Sequence, residues 1–319
     1  MSKVLITGVS GFAGSFLAEK LITEGKFQVY GIYINEAGLV NLASVKDKIN
    51  LIKLDLLDEK ATFEAIQNVR PDYIYHLAGM AVSGESFNSP RETIIGNIVP
   101  QINIFEAVRK LNLLQIRILV TSSAEVYGKV DKKDLPIDED TPFRPTNPYA
   151  VSKLTQDFLG LQYFLSYGLE VIRVRAFNHI GPRQIEKFVV GSFAKKIAEI
   201  EKGKREPILP VGNLETKRDF TDVRDMVNAY VLAIEKGVSG EAYNIGSGKS
   251  YSISDILDRL LSLSTSKIEI KQDKSLFRPS DDPELLCDNS KFSNIAGWKP
   301  DIPIDKTLKD TLDYWRNII

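Results

Sequence analysis

The chain has 319 residues, is 43% hydrophobic and 26% charged, and carries a net charge of −1. That is enough chain for one large core or two coupled ones, and the balance of charge gives no reason to expect nucleic acid or an anionic membrane as partner. One cysteine, Cys287, excludes an internal disulfide, and no apolar run approaches membrane-spanning length, so a cytoplasmic protein without a signal peptide is expected.

Lys3-Val4-Leu5-Ile6-Thr7 reads as a short buried strand, followed by Gly8-Val9-Ser10-Gly11-Phe12-Ala13-Gly14 and a helical stretch from Ser15 to Ile22. Glycines at 8, 11 and 14 let the backbone turn tightly and approach a pyrophosphate, which the next helix N-terminus favours with unpaired N–H groups. Further strands are predicted at 28–34, 49–55, 72–77, 117–121 and 169–174, with helices between them, notably at about 92–111 and 148–167. This βαβ rhythm predicts an α/β fold, a doubly wound parallel sheet, with ligands beyond the strand carboxyl ends. There Ala78-Gly79, Ser122-Ser123 and Asn178-His179 are expected to converge.

Asn147 is a good N-cap and Pro148 suits the first helical position, so the 148–167 helix should begin there. Tyr149 and Lys153, four residues apart, then share one helix face. A lysine amine near a phenol lowers its pKa, and such a phenol can exchange a proton with a sugar or alcohol oxygen. For a dinucleotide ribose, Asn35 or Glu36 after strand two leans towards NAD, yet no arginine marks a 2′-phosphate site, so NAD and NADP both stay open. His76 reads as a core residue, and no metal-ligand spacing is present.

After about residue 180 the rhythm changes. Residues 1–180 are read as the dinucleotide-binding Rossmann domain. Residues 181–319 are read as a smaller mixed substrate-binding region, with helices near 188–202, 222–236, 253–263 and 305–318. Residues 241–247 return to the sheet as a late strand.

The glycine loop, His76-Leu77-Ala78-Gly79, Ser122-Ser123-Ala124-Glu125-Val126-Tyr127-Gly128 and Tyr149-x-x-x-Lys153 occur in this order. Together they resemble the extended short-chain dehydrogenase/reductase family, over essentially the whole chain. Within that family the chain looks like enzymes that modify nucleotide sugars. The resemblance implies that Tyr149 is the catalytic acid/base, that Lys153 holds the nicotinamide ribose and tunes Tyr149, and that Ser123 binds the reacting sugar oxygen. It further implies a cofactor site formed by Gly8, Gly11, Phe12, Ala13, Gly14, Asn35, Asp55, Leu56, Leu77, Ala78 and Gly79 with Tyr149 and Lys153. Asn97 would order the active-site backbone. Ser86, Asn178, Arg218 and Arg278 would bind the sugar nucleotide, a GDP-sugar, and arginine forks suit its diphosphate. Helices 92–111 and 148–167 resemble those of a homodimer interface.

Two activities follow from the resemblance. One is NAD(P)H-dependent reduction of the C4 keto group of a GDP-6-deoxy-4-keto-hexose. The other is 4,6-dehydration of GDP-mannose, or 4,6-dehydration or epimerisation of another NDP-sugar, with a recycled bound cofactor. Glu125 supplies the base that dehydration needs at C5, whereas Ala124 lacks the acid that helps the C6 hydroxyl leave. Reduction is the favoured expectation. A non-catalytic nucleotide sensor is a third reading, opposed by the intact Ser123, Tyr149 and Lys153.

Overall fold

The computed structural model describes residues 1–277 and 282–319. Strand and helix alternate through its first half: β1 (Ser2–Thr7), α1 (Phe12–Glu24), β2 (Phe27–Tyr33), β3 (Asn50–Lys53), α2 (Glu59–Val69), β4 (Tyr73–His76), α3 (Ser83–Ser86), α4 (Pro90–Lys110), β5 (Arg117–Ser123), α5 (Pro148–Tyr167) and β6 (Glu170–Ala176). Then follow β7 (Asn178–Ile180), α6 (Val189–Glu201), β8 (Ile208–Val211), β9 (Lys217–Asp222), α7 (Val223–Lys236), β10 (Ala242–Ile245), β11 (Ser250–Ser252), α8 (Ile253–Ser262), β12 (Glu269–Gln272), β13 (Glu284–Leu285), α9 (Ser290–Ala296) and α10 (Ile304–Ile318).

Val4, Leu5 and Ile6 are fully buried, as a continuous apolar run should be when a parallel sheet is covered on both faces. β1 is an interior strand, between β2 and β4, of a seven-stranded sheet ordered β3-β2-β1-β4-β5-β6-β10, every pairing parallel. Leu17 and Leu21 of α1 and Val227 and Tyr230 of α7 cover one face. Ile66 of α2 and Ile104, Phe105 and Val108 of α4 help cover the other, where α5 packs on α4. The result is the doubly wound α/β sheet that the rhythm predicts. Strand order reverses between β1 and β4, and such a switch point opens a crevice at the strand carboxyl ends.

A second core gathers Ile197 of α6, Leu257 of α8 and Leu312 of α10 with Leu209 and Phe220. It packs around a small sheet in which β9 pairs with β7, β11 and β13. The return to the large sheet is greater than one late strand. α7 packs on α1, β5 and β6 before β10 pairs with β6, because its buried stripe of Met226, Val227, Tyr230, Ala233 and Ile234 faces the sheet. Among the described residues, no helix is long and apolar enough to cross a membrane.

Candidate active site

A cavity of about 1290 Å³ opens at the switch point, between the large sheet and the smaller region. At one end lies the glycine loop. Gly8 has φ +69°, and a Cβ there would meet Ala78 N and Cα at 3.0 Å; a Cβ on Gly14 would lie 2.2 Å from the Gly8 carbonyl oxygen. Gly11 caps α1 without any side-chain hydrogen bond. The start of α1 therefore faces the cavity with backbone N–H groups and little bulk, a cradle that fits a pyrophosphate.

Phe12, Ala13, Asn35, Asp55, Leu56, Leu77, Ala78 and Gly79 line the same end. Asp55 lies just past β3, its Oδ1 accepting from Leu57 N–H at 2.9 Å. Asn35 caps the turn after β2 by accepting from Ala37 N–H. Glu36, expected as an alternative ribose partner, instead pairs with Lys53 at 2.6 Å on the surface. Asn97 is buried in α4: its Oδ1 accepts from Met80 N–H at 2.7 Å, and its Nδ2 donates to Ser152 Oγ at 2.8 Å. It thereby ties the Gly79-Met80 backbone to α5.

The centre of the cavity holds Ser123, Glu125, Tyr149 and Lys153. β5 ends at Ser123, and α5 starts at Pro148 with Asn147 Oδ1 accepting from Ala150 N–H at 2.8 Å. These two element ends bring the Tyr149 hydroxyl close to Ser123, near enough for the serine to favour its ionised form. The expected lowering of the Tyr149 pKa by Lys153 is not what the structure gives. Burial drives it well above the usual tyrosine range, Glu125's charge adds to this, and the Ser123 hydroxyl opposes it. Lys153 Nζ donates to the Thr121 carbonyl at 2.9 Å, and burial brings its own pKa down to about 8. Helical spacing put the two side chains on one face; the low-dielectric interior decided their protonation.

Asn178 and Arg218 line the far end of the cavity, and Arg218 Nη1 donates to the Asp282 and Lys217 carbonyls at 2.8 Å. Ser86 does not reach it. Its hydroxyl is buried and donates to the Ser83 carbonyl at 2.7 Å, while Ser83, one turn earlier, lines the wall. Arg278 lies outside the described residues.

Arg183 lines the cavity, whereas Arg224 serves the framework. Arg183 bonds Glu19 at 2.7 Å and stacks over Phe16; Arg224 joins Asp222 and Asp310. His76 is buried against Thr7 Oγ1, and burial lowers its pKa to about 3, so it stays neutral. Sequence reading missed Lys196, which also lines the cavity; it comes from α6, with no motif to mark it. Among the described residues, no group of three or more His, Cys, Asp or Glu side chains is placed to hold a metal ion.

A parallel switch-point sheet, a glycine cradle and a Ser-Tyr-Lys centre define an extended short-chain dehydrogenase/reductase with a Rossmann fold. The sequence profile described as GDP-mannose 4,6 dehydratase matches residues 5–311, and the chain belongs to that family. It is 32% identical to the GDP-6-deoxy-D-mannose reductase of Pseudomonas aeruginosa, over 99% of this chain and 97% of that protein. It is 29% identical to the GDP-mannose 4,6-dehydratase of Yersinia enterocolitica, over 96% and 91%. Among solved structures it resembles RMD from Pseudomonas aeruginosa complexed with NADPH, at 31% identity, TM-score 0.86 and full coverage of both chains. The UDP-glucose 4-epimerase of Thermotoga maritima follows the same fold, at 26% identity, TM-score 0.88 and 99% coverage of both chains.

Proposed function

We propose that this chain reduces the C4 keto group of a GDP-6-deoxy-4-keto-hexose to give a GDP-6-deoxyhexose such as GDP-rhamnose. The observation that carries the reading is the Ser123–Tyr149 hydroxyl pair at the centre of the cavity, with Ala124 buried in the neighbouring core. A bound reduced nicotinamide dinucleotide, NADPH or NADH, supplies the hydride. The glycine cradle, Asn35, Asp55, Leu56, Leu77, Ala78 and Gly79 hold it, and Lys153 offers a donor to its ribose.

Ser123 Oγ and the Tyr149 hydroxyl orient the ketone oxygen. Tyr149 then donates its proton to that oxygen, a task suited to a phenol that burial and Glu125 keep protonated. Asn178 and Arg218 hold the sugar nucleotide, with Arg218 directed to its diphosphate. The reading places residues 1–180 as the cofactor domain and residues 181–319 as the substrate region, in a cytoplasmic protein. It also places a homodimer interface on α4 and α5, whose Ile95, Val151, Phe158 and Leu165 are exposed. Light scattering that finds a monomer at micromolar concentration overturns that last point.

Glu125 in the cavity favours one second reading, GDP-mannose 4,6-dehydration. Two incubations separate the activities. With the 4-keto sugar nucleotide and NADPH, reduced cofactor should disappear in step with deoxyhexose formed. With GDP-mannose alone, no 4-keto product should appear. A 4-keto product from the second incubation overturns the reductase reading, and silence in both favours a nucleotide sensor.

A further inference from the structure

Glu125 sits in the cavity beside the hydroxyl pair, and a carboxylate next to a C4 ketone has a second chemistry open to it. It can take the proton from C5, which the ketone acidifies. In elimination the C5–H electron pair becomes the C5=C6 bond, the C6–O bond breaks, and the hydroxyl leaves with a proton as water. That task needs a carboxylate directed at C5 and an acid for the departing oxygen.

The structure holds Glu125 at both ends. Its backbone N–H donates to Ser123 Oγ at 3.1 Å, and its Oε2 accepts from Asn147 Nδ2 at 2.9 Å. The amide of Asn147 has no freedom to turn. Its Oδ1 accepts from Ala150 N–H at 2.8 Å, and a backbone N–H can only donate, so Nδ2 must face the carboxylate. Asn147 is also the N-cap of α5, so the tether is anchored to the helix that carries Tyr149. Ala124 is buried with Val126, Tyr127 and Phe177 and has no proton to give.

We propose that Asn147 is a specificity-determining positioning residue, whose amide ties Glu125 to the start of α5 and withholds the carboxylate from C5. Glu125 then acts as a fixed negative charge beside Ser123 and Tyr149. The inference rests on the keto-sugar reading above. It makes the choice between reduction and C5 chemistry depend on one side chain that also starts a helix.

Asn147→Ser tests it cleanly. Serine caps a helix as well as asparagine does, but it is too short to reach Glu125. The protein is incubated with the 4-keto sugar nucleotide in D2O without reduced cofactor, and deuterium at C5 is followed by NMR. Wild type should exchange C5 no faster than an enzyme-free sample. Asn147→Ser should exchange it on the order of 100-fold faster, the low end of what a positioned base contributes. Adding Glu125→Gln should return the rate to the wild-type level. Asn147→Asp, an equally good cap that repels the carboxylate, should give the same rise and stands in if the serine variant loses helix content.

Rapid C5 exchange by wild type overturns the inference. So does a folded, substrate-binding variant with no rise. NADPH-dependent reduction by wild type is measured on the same substrate. Its absence sinks the reductase reading while the exchange comparison stands, and its presence with flat exchange sinks only the role of Asn147.

Discussion

Replacing Gly14 with Ala probes whether the start of α1 is a cofactor cradle or only a tight turn. A Cβ at 14 would lie 2.2 Å from the Gly8 carbonyl oxygen and 3.0 Å from Gly8 C and Val9 Cα. The obstacle is backbone, and the Gly8 oxygen already accepts from Gly11 N–H at 3.0 Å. Restoring ordinary van der Waals distance requires the loop to move by roughly 1 Å. Such overpacking costs about 1–3 kcal/mol, against about 1 kcal/mol regained because alanine suits a helix better than glycine. The net change in stability is therefore small, and the larger effect falls on the cofactor. Weakening two hydrogen bonds to a charged pyrophosphate at about 1.5 kcal/mol each removes roughly 3 kcal/mol, about 100-fold in Kd.

Gly25→Ala at the other end of the same helix is the control. Gly25 has φ +67° with nothing within 4 Å of its Cβ, so alanine there adds backbone strain of about 1–2 kcal/mol and no clash. Fluorescence titration with the dinucleotide that wild type binds more tightly, together with thermal melts, reads both variants. Gly14→Ala should lose affinity about 100-fold with a modest change in melting. Gly25→Ala should melt lower and bind as wild type does. Wild-type affinity in the Gly14 variant refutes the cradle, and equal loss of affinity in both variants shows that only helix stability was sampled.

Three further outcomes are expected. Tyr149→Phe should lower turnover by about 10²–10⁴-fold with sugar-nucleotide affinity near wild type; near-normal turnover would remove Tyr149 from proton transfer. Asp157 is fully buried and accepts from Arg173 at 2.5 Å and Arg175 at 2.9 Å, so Asp157→Asn should cost about 3–5 kcal/mol in urea unfolding. A loss comparable to a surface substitution would show that the two guanidinium groups find other partners. Burial holds Lys153 near 8 against an ordinary 10.5, so between those values the unfolded chain binds more protons than the folded one. The site's contribution to stability therefore rises with pH from about 8 to 10.5. The stability of wild type relative to Lys153→Met should accordingly be greater at pH 10 than at pH 8, and a flat or falling difference refutes the assignment.

Much of the scaffold is written locally. The apolar 3–7 run, the glycines that follow and the Asn147-Pro148 start of α5 each rest on short-range sterics and hydrogen bonds, so neighbouring residues suffice to predict them. Ser86 shows where this stops. Two serines one turn apart in α3 look alike in sequence, and only packing turns Ser83 to the cavity and Ser86 to a backbone carbonyl. Lys196 went unread for a related reason, since its place in the wall depends on how the second core sits against the sheet.

By itself the sequence determined the alternation of strand and helix, the glycine turn and the placing of Tyr149 and Lys153 on one helix face, because periodicity, glycine geometry and helix capping act over a few residues, while Ser123 entered through the family resemblance. The tertiary structure alone decided the electrostatics and the partners. Burial keeps the Tyr149 phenol protonated and turns Lys153 to the Thr121 carbonyl, and a contact across 22 residues joins Asn147 to Glu125. Desolvation and long-range hydrogen bonds depend on what surrounds a group in space, which residue spacing does not encode.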